Sequence, residues 1–113
     1  MAANNETATE TDSTTTPTAD PFGDDLTTIQ RDLLYAIYGT DEPNGLELKD
    51  RLERVYEVEI HHGRLYPNLD DLVEKGLVNK GELDRRTNYY ELTSRGRREV
   101  EADHEWRTEQ LED

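Results

Sequence analysis

Cysteine is absent, which excludes disulfide staples, zinc–thiolate sites, cysteine nucleophiles and thiol redox switches. The one methionine is Met1, so oxidation of an internal methionine is excluded as well. No apolar run approaches the roughly 18 residues of a membrane-spanning helix. The N-terminus lacks a basic segment followed by an apolar one, so no secretory signal is visible and a cytoplasmic location is the expectation. Glycine-rich phosphate loops and clustered carboxylate pairs are missing too, which leaves no enzyme signature and no implied cofactor. Positive charge is scarce: Lys+Arg number 13 against 27 for Asp+Glu, and the net charge is −14. Such acidity suits a disordered chain or a nucleic-acid mimic. It also suits a cytoplasm of molar salt, where carboxylates hold a hydrated surface and screening limits their repulsion to roughly 3 Å. Most of the acid sits on a well-patterned stretch, which favours the second reading.

A chain of 113 residues, 32% of them apolar, has room for one domain with a small core, and dimerisation often completes burial in chains of this size. Residues 1–25 hold six acids, no base and one large apolar side chain, Phe22. That composition predicts a disordered acidic tail and leaves −8 of the net charge on residues 26–113. Periodicity then predicts three helices. The first runs from about Thr27 to Tyr38, with Thr27 and Gln30 at capping-box spacing and a stripe of Ile29, Leu33, Ala36 and Ile37. The second is capped by Asn44 with Glu47 and runs to about Tyr56, with Leu48, Leu52 and Val55 inward. The third spans roughly Gly63 to Lys75, with Leu65, Leu69, Leu72 and Val73 inward and Pro67 early, where its missing N–H costs least. Strands follow near Leu77–Leu83 and Asn88–Leu92 around a turn, Asp84-Arg85-Arg86-Thr87, and Thr93 caps a last helix ending near Leu111. The expected class is mainly α with a small antiparallel β-hairpin (α+β). Its units are a winged helix-turn-helix over 26–92 and a C-terminal dimerisation helix over 93–113.

Chemistry concentrates on the third helix and the hairpin. Arg64, Asn68, Asp71 and Lys75 fall opposite the leucine stripe. Arginine can read guanine and asparagine adenine through paired hydrogen bonds to base edges in the major groove. For a lone helix an ordinary solvated face would explain the same residues; the arginine-tipped hairpin beside it shifts the balance towards double-stranded DNA. Arg85 and Arg86 at the tip suit phosphates or the minor groove, with Thr87 and Asn88 as polar backbone contacts, although edge charge against aggregation is the plainer alternative. Residues 80–98 carry six bases and three acids, the one locally basic stretch of the chain. The base-reading candidates are therefore Arg64 and Asn68, with Tyr66, Lys75 and Lys80 in support. Asp70 and Asp71 argue against close approach to phosphate. Adjacent histidines such as His61 and His62 point different ways, so no metal site is expected. On the last helix, Val100, His104, Arg107 and Leu111 share a face near Trp106; packing back on its own domain is the plain alternative, and packing across a two-fold axis is the favoured reading, because DNA half-sites reward symmetric dimers.

The pattern from Leu33 to Leu92 resembles the PadR-type winged-helix transcription regulators. The matching pieces are Asn44-Gly45-Leu46-Glu47-Leu48, Gly63-Arg64-Leu65-Tyr66-Pro67-Asn68-Leu69, Glu74-Lys75-Gly76-Leu77-Val78, and Tyr89-Tyr90-Glu91-Leu92-Thr93-Ser94-Arg95-Gly96. The resemblance implies a homodimer joined through its terminal helices, operator binding in successive major grooves, and transcriptional control, often repression and in some versions stress-responsive. The acidity suggests the version found in halophilic archaea. Separately, the net charge of −14 motivates the expectation that the acidic surface takes up cations on binding DNA, which would weaken or invert the usual salt slope. Set beside this is a winged helix that binds other proteins and has no DNA role.

Overall fold

The computed structural model describes residues 26–112; the expected acidic tail lies outside them. Three helices come first: α1 (Thr28–Tyr38), α2 (Gly45–Tyr56) and α3 (His62–Glu74). A hairpin of β1 (Val78–Glu82) and β2 (Asn88–Leu92) follows, and α4 (Ser94–Leu111) closes the chain. The expected fold class and element order are those found.

Local chemistry sets the helix starts. Thr27 and Gln30 form a reciprocal capping box on α1, and Asn44 and Glu47 form another on α2. The Thr93 hydroxyl accepts from Gly96 N–H at 2.9 Å and opens α4. Pro67 lies further inside α3 than expected, as its sixth residue. Its ring is exposed, so the break in the hydrogen-bond ladder faces water.

The core is one cluster. Leu33, Leu34 and Ile37 of α1, Leu48 and Leu52 of α2, and Leu65, Leu69 and Leu72 of α3 meet Leu77, Val78, Tyr90 and Val100. Val55 does not join it and is 74% exposed, contrary to the sequence pattern. The buried stripe of α2 drifts from Leu48 and Leu52 to Tyr56, which is half-buried and whose hydroxyl donates to Asp32 of α1. Val55 is left at the edge of that stripe.

The strands pair antiparallel from Val78↔Leu92 to Glu82↔Asn88. Tyr90 N–H also donates to Pro43 O at 2.9 Å, and Asn44 bridges Tyr89, which ties the start of α2 to the hairpin. Gly96 lets α4 depart: a Cβ there would stand 2.1 Å from Leu77 O.

Candidate nucleic-acid interface

Asp84 builds the hairpin tip. Its carboxylate accepts from Arg86 N–H at 2.9 Å and Thr87 N–H at 3.0 Å, and Leu83 N–H donates to Thr87 O at 2.9 Å. With that carboxylate spent on backbone, the Arg85 and Arg86 side chains stand in solvent. Thr87 is half-buried behind them and Asn88 is exposed.

A notch of about 240 Å³ opens between the tip and the start of α2, lined by Asn44, Gly45, Leu46, Tyr66, Arg86, Thr87, Asn88 and Tyr90. Tyr66 lies so close to Gly45 that a Cβ there would meet its hydroxyl at 2.4 Å. Recognition helix, second helix and wing therefore share one concave surface. Sequence reasoning named Tyr66 and the tip residues but not Asn44 and Gly45. The signal was present in Gly45, the first residue of α2, where any side chain would displace the tyrosine.

The row expected on α3 divides in two. Arg64 is exposed at the helix start. Asn68, Asp71 and Lys75 are half-buried; Asn68 and Asp71 are held by Gln30 of α1, and Lys75 pairs with Asp71 on its own helix. Gln30 Nε2 donates to Asn68 Oδ1 at 3.0 Å and to Asp71 Oδ2 at 2.7 Å. Asn68 Nδ2 donates to Arg64 O at 2.7 Å, and Lys75 Nζ lies 3.2 Å from Asp71 Oδ2. These contacts, Gln30 first and Lys75 second, hold the Asp71 carboxyl below its ordinary range. Pro67, Asp70 and Glu74 form an exposed edge of α3. Lys80 of β1 stands 3.4 Å from Asp70. His62 is exposed and meets the Tyr66 ring edge-on at 5.5 Å. Among the described residues no group of three His, Cys, Asp or Glu is arranged to hold a metal ion.

Away from this surface, α1 and α4 are joined by a buried carboxylate. Asp103 is 0% exposed; its oxygens accept from Tyr35 hydroxyl at 2.5 Å, Arg107 Nε at 2.8 Å and Arg31 Nη1 at 3.4 Å. Of the expected dimer residues, Val100 belongs to its own protomer's core at 3% exposed and has almost no area left for a partner. His104, Arg107 and Leu111 are exposed, and Trp106 is half-buried under the Arg107 guanidinium, 5.8 Å from its ring centroid.

Three helices and an arginine-tipped hairpin in this order define a winged helix-turn-helix. The model of the transcriptional regulator PadR-like family matches residues 33–102. The structure of H. salinarum RosR grown from NaBr is similar at 50% identity, covering 76% of this chain and 77% of that one, with a TM-score of 0.73. A complex structure of the same protein, RosR-S4, matches at 48% identity over 82% and 80%, TM-score 0.75. A mutant MarR from E. coli complexed with operator DNA matches at 29% identity over 78% of this chain and 59% of that one, TM-score 0.64. No curated protein matches. The chain belongs to the PadR-like family and is a DNA-binding transcriptional regulator. These relatives give no support to the reading as a protein-interaction module. No helix among the described residues is long and apolar enough to cross a membrane.

Proposed function

We propose that the protein represses transcription as a cytoplasmic homodimer at high salt, laying α3 in the major groove and the wing on the flanking backbone. One observation carries this reading. Among the described residues only Arg64, Arg85, Arg86 and Arg98 have guanidinium groups that make no hydrogen bond, ion pair or contact with an aromatic ring. In a chain of net charge −14, carboxylates are abundant enough to neutralise every cation. Three of the four that stay unpartnered stand on α3 and the wing tip, where a polyanion would supply the missing partners.

In this arrangement Arg64 and Asn68 meet base edges. Tyr66, Lys75 and Lys80 support them, and Arg85, Arg86, Thr87 and Asn88 engage phosphates or the minor groove. The dimer forms through α4, with His104, Trp106, Arg107 and Leu111 covering the partner's groove between α1 and α4. The apolar floor of that groove is Tyr35, Tyr38 and Val100. Asp70 and Glu74 face the DNA and take up cations as it approaches. A stress stimulus, if the regulator answers to one, has to act without a thiol.

The test is fluorescence anisotropy of labelled DNA from the protein's own upstream region in about 2 M KCl, a salt range chosen because screening removes non-specific attraction. Saturable binding that Arg85→Ala with Arg86→Ala weakens by about tenfold or more is expected. A double variant that binds as the parent does would remove the wing from the interface.

A further inference from the structure

Gln30 is the least exposed polar group beside the DNA-reading helix, at 4%. Its amide closes two systems at once. Oε1 accepts from Thr27 N–H at 3.2 Å and completes the α1 capping box. Nε2 donates across to α3, to Asn68 Oδ1 at 3.0 Å and Asp71 Oδ2 at 2.7 Å. The orientation is forced: turning the amide over would set its NH2 against an N–H and its oxygen against two acceptors. Both donors of the amide are therefore committed to the recognition helix.

The consequence falls on what α3 offers to a base. Asn68 has one N–H held by Arg64 O and one lone pair held by Gln30, so one donor and one acceptor remain on a fixed side chain. Asp71 has Oδ2 shared between Gln30 and Lys75. Oδ1 makes no hydrogen bond among the described residues, and the side chain is 40% exposed. A carboxylate fixed there offers an acceptor and no donor. In the major groove it suits an exocyclic amino group, cytosine N4 or adenine N6, and repels the acceptors of guanine N7 and O6 or thymine O4.

We propose that Gln30 is a positioning residue that sets the sequence preference of this regulator. It holds Asp71 as an acceptor towards an amino-bearing base and Asn68 in register beside it. The proposal rests on α3 entering the major groove. It also gives a role to Asp71, which otherwise only opposes a polyanion.

The test is competitive binding of wild-type protein and variants to an operator panel in which every base pair is substituted in turn. Gln30→Met keeps the length and removes both donors. Its preference is expected to flatten at one or two adjacent positions by about tenfold, with binding to random DNA changed by less than about twofold, since one good base contact discriminates by that order. Thr27→Ala breaks the capping box but leaves the cross-helix bonds; it should lower stability and keep the preference profile. Asp71→Asn tests the same position should Gln30→Met fail to fold. It turns an acceptor into a donor, and the preferred base there should change from an amino-bearing to a keto-bearing one. A Gln30→Met profile that matches the parent or is scaled uniformly overturns the proposal, as does an Asp71→Asn profile with no change at any position. A parent protein that binds DNA without base preference overturns the proposal and leaves the regulator reading standing. A parent that binds no DNA overturns both.

Discussion

Gln30 and Arg31 are neighbours on α1 that hold two different helices. The first grips Asn68 and Asp71 of the DNA-reading helix; the second reaches Asp103 of α4 at 3.4 Å. A single turn of α1 therefore stands between the terminal helix and the recognition helix.

The Asp103 end of this relationship should dominate stability. Its carboxylate has no solvent exposure and takes donors from Tyr35, Arg31 and Arg107. Asp103→Asn removes the charge and leaves two guanidinium groups facing a neutral amide. The arginine side chains are 18% and 51% exposed and can partly rehydrate, so the loss falls short of that for a fully buried pair. A cost of about 2 kcal/mol is expected, a fall in Tm of roughly 10 °C for a domain of this size. Thermal unfolding followed by circular dichroism measures it; an unchanged Tm would mean that the cluster contributes no net stability.

How much of this was legible in the sequence follows from the range of each contact. The capping boxes of Thr27 with Gln30 and Asn44 with Glu47 are three residues apart and were readable, and with them the helix starts. The second use of Gln30 spans 38 and 41 positions, so nothing near it in sequence announces it. A hint existed, because Gln30 lies three residues before Leu33 on the apolar stripe of α1. Asp103 looks like one more acid on an acidic helix. It is buried because Tyr35 and Arg31 arrive from 68 and 72 positions away. Arg85 and Arg86 were legible because a hairpin tip needs only local chemistry to be exposed. Asn68 and Lys75 were expected to face outward; Asn68 is held by Gln30, a partner that periodicity cannot supply, while Lys75 pairs with Asp71 one turn away.

Three glycines should rank by what a methyl group would strike. Gly96→Ala drives a Cβ to within 2.1 Å of Leu77 O, a backbone atom fixed by the start of β1. A loss of about 3 kcal/mol is expected. Gly45→Ala meets the Tyr66 side chain, which can swing away, and should cost about 1 kcal/mol. Gly63→Ala has nothing within 4 Å inside a helix and should stabilise by about 0.5 kcal/mol. Chemical denaturation of the three variants gives the order; Gly96→Ala as stable as the parent would disprove the close approach of α4 to β1.

Alkaline pH should weaken the packing of α1 on α2 and α4. Burial first, and the hydrogen bond to Asp32 second, raise Tyr56 from 10.0 to about 12. Tyr35 shifts in the same direction through burial and its bond to Asp103. A folded pKa above the unfolded one favours the protonated form, so this contribution is complete below pH 10 and is lost as pH rises towards 12. Stability measured across that window should fall, with tyrosinate absorbance appearing late for these two rings. Tyr56→Phe should flatten the dependence; an equally steep fall in that variant would assign the effect elsewhere.

The dimer reading places Leu111, 87% exposed, and half-buried Trp106 against a partner. Sedimentation equilibrium should find a dimer for the parent and monomer for Trp106→Ala with Leu111→Glu, because a charge at an apolar contact is left without a partner. Operator affinity should fall with it, since two half-sites are then bound separately. A double variant that remains dimeric would move the interface off this end of α4.

Salt dependence offers the sharpest view of how an acidic protein approaches a polyanion. Arg64, Arg85 and Arg86 displace counterions from DNA, which makes the slope of log K against log[KCl] negative by roughly one for each phosphate neutralised. Asp70 and Glu74, on the exposed edge of α3, act in the other direction. Each is brought close to phosphate and must gain a cation, which adds a positive contribution of about one. The parent should therefore show a shallow or rising dependence through the molar range. Asp70→Asn with Glu74→Gln removes both uptake sites and frees Lys80, now 3.4 Å from Asp70, to face the DNA. Its slope should be more negative by about two to three, and its affinity should exceed the parent's at low salt and converge with it as salt rises. Parallel lines for parent and variant would show that these carboxylates stay clear of the bound DNA.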